Sequence, residues 1–220
     1  MWLIKISQAP EGLQMDTKHR ILDEALTLFS QKGYANVYVG EIADRVGIKA
    51  PSLYKHYKNK QAIFDAIIDE MNRRYEEQAG ALNISGMDPS EDASVYMNIS
   101  EDKLVEIGLG LFTYFLHDDY TSRFRKMLTI EQFHHKEFAD IYTSQYVDGP
   151  ISYQKMLFQL MVSSGAFVPA DTDVMTLQFY SPIYVLLTLC DRDPGREKEA
   201  LALLEKHIRQ FDRLYGGAKE

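Results

Sequence analysis

The 220-residue chain carries 24 Lys plus Arg against 32 Asp plus Glu, a formal net charge of −8, with 45% hydrophobic and 25% charged residues. Those proportions suit a globular chain of one or two domains with a sizeable core, and they exclude a disordered or fibrous one. A single cysteine, Cys190, excludes an intrachain disulfide framework, and an acidic total taken alone argues against a nucleic-acid partner. The longest apolar run, about Ile183 to Cys190, falls well short of the ~20 residues of a membrane span. Residues 1–14 lack the cationic leader of a secretory signal, so a cytoplasmic protein with no membrane partner is expected.

Taken in chain order, the first clear element lies between Asp16 and Lys32. Ile21, Leu22, Ala25, Leu26, Leu28 and Phe29 recur at three- and four-residue spacing, which predicts a helix with one apolar stripe. Asp16 is its expected N-cap and Gly33 its stop. A short helix over Val39–Val46 turns Ile42, Ala43 and Val46 inward and ends at Gly47. A third begins near Pro51, which suits a first turn because it needs no amide donor. Asn59 is the expected cap of a long fourth helix carrying Ile63, Phe64, Ile67, Ile68, Met71 and Tyr75. Gly80 to Ser90 reads as a loop or helix break. Beyond it, helices are expected over about 101–117, 119–133, 136–164 (kinked near Pro150), 172–190 and 195–215, with Ser100 and Asp171 as caps. The expected fold is all-α with about nine helices.

Charge is unevenly spread. Residues 1–60 carry nine Lys/Arg and six Asp/Glu, a net of +3, whereas residues 61–220 carry fifteen and twenty-six, a net of −11. Lys49, Lys55, Lys58 and Lys60 fall in a run with no acid, interleaved with Tyr54, His56 and Tyr57. A patch of this kind can neutralise phosphates while the rest of the molecule stays acidic; a solvated lysine face is the alternative. The segment Glu41 to Tyr54 has the logic of a helix–turn–helix. A short helix presents small and apolar residues inward, Gly47 supplies the turn, and Ile48 fills the gap behind it. The following helix can then lie in a major groove.

The span Thr17-Lys-His-Arg-Ile-Leu-Asp-Glu-Ala, Leu28-Phe29, Gly33-Tyr34, Ile42-Ala43, Val46-Gly47-Ile48, Leu53-Tyr54-Lys-His-Tyr57 and Lys60 resembles the N-terminal domain of TetR/AcrR-type transcriptional regulators over about residues 16–75. The resemblance implies a DNA-binding three-helix domain at 16–60 and a helical-bundle effector and dimerisation domain at 61–220, with residues 1–15 an arm or an upstream start. It places Tyr54 and Lys60 on DNA phosphates, matches His56 to the family's Tyr-x-His element, and gives Lys18 the basic position before the first helix. Ala50, Pro51 and Ser52 would face bases or phosphate, with Lys49 and Lys55 adjacent, and Tyr57 would be core. Tyr38 and Val39 stand where the family usually has Ser or Thr, Gly40 where a polar contact residue is common, and Lys49 where Ser often caps. Asn36 is a substitute cap for the missing hydroxyl.

In the second half the resemblance implies a homodimer through the last two helices, with Leu177, Tyr184, Leu187, Leu204, Ile208 and Phe211 as interface candidates. The many aromatics suggest an apolar small-molecule pocket, for which Phe112, Phe115, Tyr142, Tyr146 and Tyr180 are the candidates. His134 and His135 are adjacent and point apart on a helix, so no metal and no cofactor are expected. No nucleophile–base set or phosphate-cradling glycine loop appears, so an enzyme is not expected. The reading is a regulator released from a palindromic operator on double-stranded DNA by a small-molecule effector. The alternative is a TetR-like protein-interaction module or coactivator with weak or lost sequence-specific DNA binding.

Overall fold

The computed structural model describes residues 16–217, and the expected arm at 1–15 lies outside the described residues. Eleven α-helices succeed one another among the described residues: α1 Thr17–Lys32, α2 Val39–Val46, α3 Ala50–Leu53, α4 Lys60–Ala81, α5 Pro89–Met97, α6 Glu101–His117, α7 Asp119–Glu131, α8 Lys136–Thr143, α9 Gly149–Ser163, α10 Thr172–Arg192 and α11 Glu197–Tyr215. No strand forms among them; one isolated bridge pairs Phe167 with Gly216. The all-α class is as expected, and two local effects raise the helix count. Asp88 and Pro89, residues that read as loop, are the N-cap and first residue of α5: the Asp88 carboxylate accepts from the Ser90 and Glu91 amides. The expected long helix over 136–164 is helical without a gap from Lys136 to Ser163, but near Pro150, which has no amide hydrogen to donate, a π-helical turn separates α8 from α9. A π-helical turn at Ser144–Asp148 precedes α9, and the Gly149 N–H closes it on the Ser144 carbonyl. A Cβ at Gly149 would lie 2.4 Å from that oxygen, so the turn needs glycine.

The chain forms two compact units, one ending at Ile67 and the other beginning at Ile68, with α4 running from the first into the second. In the N-terminal unit, Ile21, Ala25, Leu26 and Phe29 of α1, Ile42, Ala43 and Val46 of α2, Leu53, and Ile63, Phe64 and Ile67 of α4 are buried together. The caps fall where the side-chain chemistry predicts. Asp16 accepts from the Lys18 amide, Gly47 ends α2 in the left-handed conformation at φ 76° and ψ 31°, and Asn59 Oδ1 accepts from the Ala62 amide at 2.8 Å. Asn36 does not cap α2; its Nδ2 donates back to the Lys32 carbonyl at the end of α1.

The C-terminal unit packs α5, α6, α9, α10 and α11 around clusters centred on Val105, Phe112, Leu187, Leu204 and Ile208, and on Leu157, Phe158, Met175 and Phe211. Ser100 and Asp171 cap α6 and α10 as expected. By length and composition α10 is apolar enough to cross a membrane, which the shorter apolar run in the sequence did not suggest. It carries Pro182 internally and buries Met175, Leu186, Leu187 and Cys190, while 28% of the apolar window as a whole is buried and Val174, Leu177 and Val185 stay exposed. Two buried charges organise the polar interior. The Asp92 carboxylate accepts from the Ser85 and Gly86 amides (2.6 and 2.8 Å) and the Tyr153 hydroxyl (2.6 Å). Arg125, 2% exposed, grips Asp191 through Nε and Nη2 at 2.6 and 2.7 Å and donates from Nη1 to the Phe115 carbonyl.

Candidate nucleic-acid interface

The N-terminal unit sorts its cations into two sets. Arg20 donates to the Val46 carbonyl at 2.5 Å and so ties α1 to the last turn of α2. Lys32 pairs with Glu41 at 2.6 Å and Arg45 with Glu24 at 2.7 Å. Glu41 also accepts from the Tyr38 amide, and together these bonds hold its carboxyl below the usual carboxylate range. By contrast, Lys49, Lys55 and Lys58 are exposed and pair with no carboxylate among the described residues. All three lie at α3 or in the turn that follows it.

The other expected contact residues divide by burial. Lys18 is exposed, with Nζ 5.6 Å from the Tyr57 ring centroid, while Tyr57 itself is 5% exposed and belongs to the core. Tyr54 is half exposed at 52%, and Pro51 and His56 are exposed. Ala50 and Ser52 are half-buried in the four-residue α3. The Lys60 ammonium donates to the carbonyls of Tyr34 (2.8 Å) and Val37 (3.0 Å) and sits 4.3 Å from the Tyr34 ring centroid. Much of its donor capacity therefore holds the α1–α2 connection, a use that a count of basic residues does not reveal. Tyr38, the N-cap residue of α2, is 73% exposed. Gly40 is exposed in the first turn of α2, and a Cβ built there would meet nothing within 4 Å. Lys58 was visible in the acid-free run but not among the expected contact residues.

In the C-terminal unit the structure corrects the interface candidates. Leu187, Leu204, Ile208 and Phe211 are 8%, 1%, 1% and 5% exposed within a single chain, so they are core and not partner-facing. Both helices are apolar on more than one face, and helical spacing alone does not say which face turns inward. Tyr184 is half-buried and its hydroxyl shares a 2.8 Å hydrogen bond with that of Tyr142. Leu177 does remain exposed, with Val174 and Val185 on α10 and Leu203 and Leu214 on α11. Val174 and Val185, like Leu203 and Leu214, are eleven residues apart, which is close to three full turns and so one face.

The pocket candidates also need correction. Phe112 is buried in the α6–α10–α11 core, and Phe115 packs against it and against Tyr75 and Tyr114. Tyr142, Tyr146 and Tyr180 do come together. The first two rings are 5.3 Å apart, and the Tyr180 hydroxyl donates to the Tyr146 carbonyl at 2.7 Å. Burial pushes all three phenols above their ordinary range. A cavity of about 50 Å³ lies elsewhere in this unit and is lined by none of the five. His117 pairs with Glu197 at 2.7 Å and His135 with Glu131 at 3.5 Å, while His134 is exposed.

Residues 21–67 match the family of bacterial regulatory proteins described as the tetR family. The biofilm operon icaADBC HTH-type negative transcriptional regulator IcaR of Staphylococcus epidermidis is 49% identical over 47 residues, 21% of this chain and 25% of that protein. The chain thus matches only about a quarter of that relative's length. SmeT, the repressor of the Stenotrophomonas maltophilia multidrug efflux pump SmeDEF, shares the fold across both units. Its TM-score is 0.63 at 16% identity, covering 93% of each chain. A SmeT–triclosan complex aligns with TM-score 0.65 at 16% identity, covering 92% of this chain and 93% of that one.

Proposed function

We infer that this chain, which belongs to the TetR family, is a cytoplasmic DNA-binding transcriptional repressor, active as a homodimer and released from a palindromic operator by a small molecule. The observation that carries this reading is the sorting of cations in the N-terminal unit. Arg20, Lys32, Arg45 and Lys60 are spent on internal partners, while Lys49, Lys55 and Lys58 are left to solvent beside the recognition helix α3. Exposed cations without local partners supply the phosphate contacts that dominate DNA affinity, and an acidic remainder does not cancel them beyond a Debye length of ~8 Å at physiological salt. Tyr54, His56, Pro51 and Lys18 complete the proposed contact set, with Ala50 and Ser52 at the head of α3.

The exposed apolar faces of α10 and α11 are the proposed dimer surface, with Leu177, Val174 and Val185 on α10 and Leu203 and Leu214 on α11. A two-fold dimer would present two copies of α3 to two half-sites. The negative regulator IcaR and the repressor SmeT support repression, and the SmeT–triclosan complex supports a small-molecule signal. The test is nuclease protection of the DNA flanking the chain's own gene, at low and at physiological salt. A protected inverted repeat at low salt, shrinking as salt rises, is expected. A folded dimer that protects no sequence at either salt would overturn the reading.

A further inference from the structure

The three lysines that the N-terminal unit leaves to solvent occupy different places along the chain. Lys49 directly precedes α3 as its N-cap residue, whereas Lys55 and Lys58 follow its last residue, Leu53. The Lys49 backbone is extended, at φ −78° and ψ 146°, and its carbonyl accepts from the Ser52 amide at 2.8 Å. Its main chain is thus fixed by the helix it leads into. Its side chain makes no bond to that helix and has no carboxylate partner among the described residues, so the ammonium extends freely from a fixed base.

The neighbours of Lys49 limit what else could read a base there. Ala50 and Pro51 have no side-chain donor, Ser52 is short and half-buried, and Leu53 is fully buried. Among residues 49–53, Lys49 is therefore the long hydrogen-bond donor. A recognition helix meets base edges with its N-terminal residues, while phosphates line the flanks of the groove. With four residues, α3 rises roughly 6 Å, about half the ~12 Å width of a major groove. With its leading residues at the base edges, the two lysines beyond its far end lie toward the strand backbone.

We propose that Lys49 is a specificity-determining residue of this reader and that it takes a guanine in each half-site, its ammonium donating to O6 or N7 in the major groove. The contact is made by the side chain and depends neither on the helix dipole nor on the amides of the first turn. Guanine suits it because that base offers two acceptors side by side on this edge. Adenine places an amine beside its N7, cytosine presents an amine, and thymine has a methyl group beside its O4. Lys55 and Lys58 add affinity without base preference. The assignment rests on the DNA-binding reading above.

The test uses the full-length chain and the inverted repeat it protects. Each guanine of one half-site is replaced in turn by 7-deazaguanine, which keeps the pairing and removes N7. Each G·C pair is also replaced by A·T, which exchanges O6 for an amine. For one guanine, wild-type affinity should fall about 5- to 150-fold with at least one of these changes, the range of one good base contact. Lys49→Ala should erase that penalty, so that the protein and base changes are not additive. Lys49→Arg should restore it at the same position, since a guanidinium reads the same two acceptors. Lys58→Ala should weaken every duplex alike and leave the guanine pattern as it was. The Lys49 side chain bonds nothing in the fold, so both Lys49 variants should melt with the wild type. A guanine pattern unchanged by Lys49→Ala, or a wild type indifferent to every guanine, overturns the assignment while DNA binding stands. A folded dimer that protects no repeat overturns the DNA-binding reading, and this assignment with it.

Discussion

Replacing Lys55 with alanine and Lys60 with methionine separates two uses of lysine in the N-terminal unit. Lys55 is exposed after α3 and has no carboxylate partner among the described residues, so its charge is available to a phosphate. Each phosphate contact contributes about 0.9 to the slope of log affinity against log salt, so between about 50 and about 200 mM it accounts for about 3.5-fold in affinity. Lys55→Ala should lower the slope by about that amount. Lys60 differs because its ammonium bridges the Tyr34 and Val37 carbonyls at 2.8 and 3.0 Å. Lys60→Met leaves both carbonyls without that donor. At ~1–3 kcal/mol for a charge-assisted bond, reduced because Lys60 is only half-buried, the combined cost is about 2 kcal/mol. For a chain of this size that corresponds to a melting shift of about 4–8 °C. Anisotropy of a labelled operator duplex at several salt concentrations gives the slope, and thermal melting by far-ultraviolet circular dichroism gives the stability. Wild-type melting of Lys60→Met, combined with a slope lowered by about 0.9, would refute the reasoning, since it would put that lysine on phosphate.

Two further outcomes follow from the C-terminal unit. Arg125 is 2% exposed and its partner Asp191 31%, so the two halves of the pair are not equivalent. Asp191→Ala strands a buried guanidinium and should cost about 3–5 kcal/mol, whereas Arg125→Met leaves a carboxylate that water can reach and a single carbonyl, at about 1–3 kcal/mol. Equal shifts of the urea midpoint would count against this asymmetry. Hydrogen bonds from Arg73, with help from Arg74, hold the Glu70 carboxyl below its ordinary value of 4.5. The stabilisation from its ionised form is therefore present above pH 4.5 and is lost as pH falls through the lower folded value. Glu70→Gln should flatten the acid limb of the melting profile in that window, and an unchanged limb would contradict the assignment.

Where one residue type solves a local problem, the sequence was readable. Asp16, Asn59, Ser100 and Asp171 cap the helices they precede, and Gly47 takes the left-handed turn between α2 and α3. The same local logic misled at Asp88 and Pro89, because a cap and a first-turn proline have the composition of a loop. Asn36 is short and polar enough to cap either helix beside it, and the geometry of the end of α1 claimed it. Roles set by tertiary neighbours were less legible. Lys60 looks like any basic residue until Tyr34 and Val37 are placed beside it. Leu187, Leu204, Ile208 and Phe211 have the same apolar character as Leu177 and differ only in which side of the helix meets the bundle. The cavity is the extreme case. Phe158 comes from α9 and Phe211 from α11, and no spacing in the sequence marks their stacking.

Gly40 bears on how such a reader could change its target over time. A side chain at this exposed position would displace nothing within 4 Å, and replacing a helical glycine by a better helix former gains up to ~1 kcal/mol. On the proposed DNA-binding reading, most interface substitutions trade stability for a new contact, whereas a side chain at Gly40 gains helix stability as well. A lineage, or a library varied at this one codon and selected on altered operators, could sample new side chains on the second helix without first acquiring compensating changes in the core. The adaptability of the surface is then set less by its lysines than by the one place where the helix carries no side chain.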